Sequence, residues 1–210
     1  MTLPSIFCDH MVLQRDRSIP VWGWAEPGEK ITVTLAKKSR QTVTGKDGKW
    51  QVKLPALKAG GPFEMVIQGK TSITLRDVLV GEVWVCSGQS NMQFGVKELL
   101  NPEKEIATAK HPRIRLFTVA NTAVVKPQQD VSGKWDICSP ETIKDFSAVA
   151  YFFGRKLSQQ LKIPVGLINS SWGGTCAEAW SSREALVANP IFKPRVTTYE
   201  KNLNKIITVL

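Results

Sequence analysis

Histidine is scarce in this chain: 210 residues hold only His10 and His111. That leaves little choice of a side chain able to move protons near neutral pH. His111 precedes Pro112 at an expected loop and reads as solvent-facing. His10 lies in an Asp9-His10 pair within a strand-rich region. Neither reads as a catalytic base. The four cysteines, Cys8, Cys86, Cys138 and Cys176, form no Cys-x-x-Cys pair, so no zinc site is expected. Their spacing suggests no disulfide framework either. No apolar run approaches the ~18 residues of a membrane span, and no membrane association is expected. The N-terminus shows no basic-then-apolar leader. Internal repeats and low-complexity segments are absent. Acidic residues are outnumbered, giving a net charge of +10. Residues 1–78 carry 12 basic and 7 acidic groups, and residues 79–210 carry 16 and 11. The excess is evenly spread, with no basic stripe interleaved with aromatics, so nucleic acid is not an expected partner. The densest cluster, Lys37-Lys38-Ser39-Arg40, reads as a solvated loop between strands, with at most a mild attraction for anionic glycans.

What is present divides by period. Residues 1–78 read as short strands forming a small antiparallel β-sandwich. Ile31, Val33 and Leu35 alternate with Thr32 and Thr34, and Phe63, Met65 and Ile67 alternate in the same way. Lys46-Asp47-Gly48-Lys49 is a hairpin signal ahead of Trp50–Leu54. Thr71–Leu75 is a further strand. From residue 79 to 210, strand, helix and strand alternate, which predicts a parallel sheet with flanking helices. Val83–Cys86 reads as a buried strand, Arg113–Val119 and Val165–Asn169 as two more. Pro102–Lys110 suits a short helix. Phe146–Lys162 is a clear one, with Val149, Phe152, Phe153, Leu157 and Leu161 on or near one face. Residues 121–144 read as a long irregular loop, often a functional feature. No flexible linker separates the two parts.

The chemistry concentrates where strand ends meet helix starts. After Val83–Cys86 comes Ser87-Gly88-Gln89-Ser90-Asn91-Met92. A serine there sits among backbone N–H groups without helical partners, at the positive end of a helix dipole. Such groups stabilise the negative charge of acyl transfer. The competing role for Ser90 is a helix cap. The second strand end leads into Trp172-Gly173-Gly174. A glycine turn supplies further N–H donors, although its glycines equally permit positive φ at a corner. Trp172 is a candidate wall of a site, and Trp180 an ordinary core or rim residue. Glu82 and Glu178 are the nearest carboxylates in sequence, and either suits a surface.

Three stretches carry a resemblance. Gly88-Gln89-Ser90-Asn91-Met92 resembles the first block of the SGNH hydrolases, specifically of the sialate O-acetylesterase family. It is not the lipase-type elbow, which needs glycine where Met92 stands. Pro164 to Thr175, followed by Ala177-Glu178-Ala179-Trp180, is similar to that family's second block. Phe7 to Asp16, with Val21-Trp22-Gly23-Trp24, is similar to its start. The resemblance implies Ser90 as nucleophile, the N–H groups of Ser90, Gly173 and Gly174 as oxyanion donors, and Gln89, Asn91 and Trp172 toward substrate. It implies an acetylated carbohydrate substrate, no metal or cofactor, and an extracytoplasmic setting. Two further blocks of the family, Gln-Gly-Glu-Ser-Asn and Asp-x-x-His, have no counterpart here. The expectation is therefore the front portion of a longer enzyme, with a C-terminal catalytic portion supplying the base and apolar cover. An exposed apolar cluster is expected at Leu203, Ile206, Ile207, Val209 and Leu210. The expected function is a carboxylic ester hydrolase acting on O-acetylated sialic acid or related glycans. The alternative is a non-catalytic carbohydrate-binding or assembly module.

Overall fold

A computed structural model describes residues 1–124 and 127–207, with side chains described up to Asn202 in the last helix. The apolar cluster expected between Leu203 and Leu210 lies outside the residues whose side chains are described. Among the described residues ten strands form in order: β1 (Val12–Gln14), β2 (Ile19–Trp24), β3 (Lys30–Leu35), β4 (Lys38–Val43), β5 (Lys49–Leu54), β6 (Gly60–Gln68), β7 (Ser72–Gly88), β8 (His111–Thr118), β9 (Trp135–Cys138) and β10 (Val165–Ser171). The helices are α1 (Ser90–Gln93), α2 (Pro102–Thr108), α3 (Ala148–Leu161), α4 (Arg183–Ala188) and α5 (Lys193–Ile207). None of the described helices is long and apolar enough to cross a membrane.

The fold is α/β, with one large mixed sheet in the order β4-β3-β6-β7-β10-β8-β9. β1 pairs parallel to β7, and β2 and β5 form a separate antiparallel pair. The first part is the expected two-layer β structure. Ile31, Val33 and Leu35 face Val21, Trp50, Val52 and Leu54 in one buried cluster. Phe117 of β8 and Trp135 of β9 enter the same cluster, and the Trp135 indole N–H donates to the Ile6 carbonyl at 2.9 Å. The second part is the expected parallel sheet. β10 lies between β7 and β8, parallel to both, with Gly166 opposite Val83 and Val165 opposite Ile114.

Several local readings change. Lys37–Arg40 is no loop: the chain turns at Ala36 and Lys37, both at positive φ, and Lys38–Val43 is an exposed edge strand. Its charge is what an edge strand needs to resist pairing with other chains. The Lys46–Lys49 turn does not close a hairpin, because β4 pairs with β3 while β5 pairs with β2. It carries the chain between layers. The strands expected at Thr71–Leu75 and Val83–Cys86 are one strand, β7, which runs through the proposed boundary at residue 78. Residues 121–144 are not wholly irregular, since β9 pairs antiparallel with β8 within them.

The α3 face also departs from its pattern. Ala148, Ala150, Tyr151 and Gly154 are buried, while Val149, Phe153 and Leu161 are exposed. At Gly154 the helix packs closely on the sheet: a Cβ there would stand 2.5 Å from Leu167. Ser147 caps the helix by accepting the Ala150 N–H at 3.2 Å.

Two compact units are distinguished, Met1–Gly173 and Gly174–Leu210. The second holds a short 3-10 turn at Ala177–Trp180, then α4 and α5, tied by Arg183–Glu200 and Arg195–Glu178 ion pairs.

In the first unit, the buried Arg115 guanidinium binds both oxygens of Asp77, at 2.7 and 3.1 Å, and His10 Nδ1 meets Asp77 at 2.7 Å. Burial works to raise the Asp77 pKa, but the Arg115 and His10 hydrogen bonds outweigh it and hold the carboxyl below its usual range. The folded state thus binds a proton less readily than the unfolded chain. This stabilisation is complete above the ordinary carboxylate range and is lost as pH falls through the lowered folded value. Arg115→Ala should cost roughly 3 kcal/mol in urea unfolding at pH 7, because it leaves Asp77 without its main partner. The variant should also lose less stability than the parent between pH 5 and about pH 3. A cost below about 1 kcal/mol would contradict this role for the pair.

Candidate active site

β7 and β10 run side by side and end together. Ser170 lies opposite Ser87 and Ser171 opposite Gly88, and the Trp172 N–H continues the ladder to the Gly88 carbonyl at 3.0 Å. Two corners therefore leave neighbouring parallel strands at the same level, where open parallel sheets hold their ligands. The first corner turns at Gly88, whose φ of +150° favours glycine. Gln89 is the capping position of α1 and makes no side-chain cap bond. Ser90 is the first helical residue, so its hydroxyl is not spent as a cap. Helix α1 is a single turn of four residues, so the dipole expected at Ser90 is small. The available electrostatics come from individual backbone N–H groups.

The turn is pinned from behind. The Ala148 N–H donates to the Phe94 carbonyl at 2.8 Å, Gly95 bridges to Ser147, and the Ser147 hydroxyl approaches Met92 Sδ at 3.5 Å. The cap of α3 thus also positions Ser90. Gly88, Gln89, Ser90, Asn91, Met92 and Val149 line a groove of about 480 Å³. Ser90, Gln89 and Asn91 are exposed there.

Gly173 belongs at this corner. A Cβ on Gly173 would stand 3.1 Å from Ser90 Oγ, 3.3 Å from Ser90 Cα and 2.6 Å from Gln93 Oε1. Glycine is required here by close approach. The Gly173 N–H donates to Gln93 Oε1 at 2.6 Å. An anion reaching that N–H must displace the Gln93 carboxamide. Gln93 was missed by the sequence reading; its position three residues after Ser90, one turn along, was the signal available. A buried pair beneath the corner, Ser171 Oγ donating to Asn169 Oδ1 at 2.7 Å, was missed as well. Trp172 is exposed beside Gly173. Gly174 opens the second unit, with φ +75° and open space where a side chain would point. Trp180 is exposed in that unit, its indole N–H donating to Thr175 Oγ1 at 2.7 Å.

Among the described residues lining the groove there is no histidine and no carboxylate. His10 is committed to Asp77. His111 starts β8 with its ring 6.1 Å from that of Tyr151, and burial followed by the Arg155 charge lowers its pKa. Glu82 accepts from Arg15 Nε at 2.7 Å, and Glu178 pairs with Arg195. Each candidate base thus has a structural partner or lies off the groove. All four cysteines are free thiols, with Cys86 buried in β7 as expected.

This architecture has counterparts among carbohydrate esterases. In the crystal structure of a carbohydrate acetylesterase from Xanthomonas citri, a chain 38% identical superposes with a TM-score of 0.87, covering 90% of this chain and 44% of that one. Residues 80–210 match the family model described as carbohydrate esterase, sialic acid-specific acetylesterase, and the chain belongs to that family. The sialate O-acetylesterase of Rattus norvegicus is 41% identical over 201 residues, covering 86% of this chain and 37% of the rat protein. That of Homo sapiens is 38% identical over 211 residues, covering 90% and 40%. The chain thus spans about two fifths of the length of the curated relatives it matches.

Gln93→Ala removes the acceptor of the Gly173 N–H at an exposed corner. Amide exchange at Gly173 should quicken about tenfold, matching the net worth of one hydrogen bond, with little change in Tm. Unchanged exchange would contradict the contact.

Proposed function

We propose that this chain is the nucleophile-bearing portion of a carboxylic ester hydrolase that removes O-acetyl groups from sialic acid or a related acetylated glycan. The observation that carries the reading is the packing of Gly173 against Ser90 Oγ at the ends of two adjacent parallel strands, open to a groove. Acyl transfer needs a nucleophile and N–H donors around one carbonyl, and this corner can supply both. The names of the rat, human and Xanthomonas relatives support the chemical class.

In this reading Ser90 Oγ attacks the ester carbonyl carbon and gives up its proton to a base. The N–H of Ser90 and that of Gly173, freed from Gln93, receive the developing oxyanion. The sugar hydroxyl leaves with a proton, and water then releases acetate from Ser90. Gln89, Asn91 and Trp172 face the sugar. The proposed β domain of residues 1–78 serves as scaffold. The base comes from the part of the family's length outside these 210 residues, since the groove lining offers none.

That same lack favours a second reading, in which the chain binds acetylated carbohydrate without turning it over. General-base assistance is worth typically 10²–10⁴-fold, so residues 1–210 alone should hydrolyse p-nitrophenyl acetate at least about a hundredfold more slowly than a chain of full family length. In the longer chain, Ser90→Ala should reduce acetyl release by about 10³-fold or more while leaving Tm nearly unchanged. Turnover within tenfold of the parent in that variant would overturn the assignment of Ser90. Equal binding and no turnover in both lengths would favour the second reading.

A further inference from the structure

The outward face of the β2–β5 pair departs from what a two-layer β structure needs. Along β2, Ile19, Val21 and Gly23 are buried, and along β5 so are Trp50, Val52 and Leu54. The alternate residues point away from the core and are ordinarily polar. β5 follows that pattern with Lys49, Gln51 and Lys53, but β2 turns out Pro20, Trp22 and Trp24. In the antiparallel register Trp22 lies opposite Gln51 and Trp24 opposite Lys49. Each outward indole therefore has a hydrogen-bonding side chain directly across the ladder, about 5 Å away between Cβ atoms.

These residues line a groove of about 710 Å³, a volume typical of small-molecule sites, and share none of its lining with the groove beside Ser90. Trp50 joins it from the core side, because Gly23 between the two outward indoles has no side chain. A Cβ on Gly23 would press on the Thr2 carbonyl and stand 2.9 Å from the Trp50 ring. Trp50 is only 3% exposed, and its Nε1 is a buried donor with no hydrogen-bond partner among the described residues. Native structures leave few such groups unpaired. Trp22 is braced by Phe7, edge to face at 4.6 Å, so its ring is held in place. Asp47 Oδ1 accepts the Lys49 N–H at 3.2 Å, which fixes the carboxylate at one end, and Gln129 enters from the segment before β9. One tryptophan at a rim is ordinary. Packing does not account for two on a solvent face, each beside a polar partner, with a third carrying an orphan donor beneath them.

We propose that this groove is a second ligand site and that it binds a neutral oligosaccharide. A pyranose ring presents two chemistries at once, a face of C–H groups and a rim of hydroxyls. The indole faces take the C–H surface. The amides of Gln51 and Gln129, the Asp47 carboxylate and the Lys49 ammonium supply both acceptors and donors for the rim. Asp47 and Lys49 carry opposite charges, so the groove has no net charge with which to select an anion, although the chain as a whole is at +10. Trp22 and Trp24 stand about 7 Å apart along the strand, which suits an extended ligand of more than one ring. A glycan chain held here raises the local concentration of its own acetyl groups. That benefit rests on the esterase reading; the binding itself does not, and its test reads no turnover.

The test is titration of residues 1–210 with cellohexaose, followed through the indole N–H signals of the seven tryptophans by NMR. Trp22, Trp24 and Trp50 should shift along one saturating curve, with a Kd of about 1 mM or tighter. Trp135, whose N–H is bonded to the Ile6 carbonyl in the core, should stay still and report that the chain is folded. Trp24→Ala should weaken binding about tenfold, and Trp24→Phe, which keeps a ring face, should recover most of the loss. Gln51→Ala, at an exposed position, should weaken binding about threefold with Tm unchanged, and so tests the site even where Trp24→Ala does not fold. Should residues 1–210 not fold alone, the same titration of a chain of full family length decides. No shift of the three indoles at about 10 mM cellohexaose would overturn the proposal. So would a shift of Trp172 with those three unmoved, which would put the sugar beside Ser90. Binding of sialyllactose without binding of cellohexaose would overturn it as well, by making the ligand an anion.

Discussion

The parallel pairing of β7 with β10 is the constraint on which the rest depends. Seven residues of each strand are in register, from Glu82–Val165 to Gly88–Ser171. Because both strands run the same way and stop together, two sequence segments some eighty residues apart turn away from the sheet at one place. Nothing in either segment alone makes a site. Ser90 without Gly173 is an exposed serine on a single helical turn, and Gly173 without Ser90 is a glycine in a turn. Their approach is tight enough that even a methyl group on Gly173 would press on the Ser90 hydroxyl. The remaining elements hold this pairing in place: α3 packs one face of the sheet through Gly154 and Leu167, and its N-terminal cap anchors the turn that carries Ser90.

Much of this was legible because apolar period is a direct signal of burial. The alternation in β3 and β6 and the strand-helix-strand order after residue 79 gave the class and the parallel pair. What was not legible depends on contacts between distant segments. The exposed Phe153 and Val149 satisfy a helical apolar face, yet the residues actually buried are Ala148, Ala150, Tyr151 and Gly154. Period reports which face is apolar, not which neighbour is present to cover it. The merging of two expected strands into β7 was hidden by Arg76-Asp77, a polar pair that reads as a break. Asp77 takes positive φ and is held by Arg115, 38 residues away. At the site, the position of Ser90 and the glycine turn followed from local wording. The Gln93 contact did not, since it closes a loop of eighty residues through a side chain.

The same logic explains what the corner lacks. His10 and Glu82 are both titratable, but His10 is held by a hydrogen bond to Asp77 and Glu82 by an ion pair with Arg15, and both contacts tie β7 to the N-terminal segment. Among the described residues lining the groove, only Val149 is a branched apolar side chain, and it is exposed.

The most direct test of the account is covalent labelling of the serine. A fluorophosphonate reacts with a serine hydroxyl only where a base and oxyanion donors surround it. Treated with such a probe and mapped by peptide mass spectrometry, a chain of full family length should carry a single adduct on Ser90, and Gly173→Ala should suppress it. An adduct on a different residue, or hydrolysis of acetyl esters that persists while Ser90 stays unlabelled, would contradict the account.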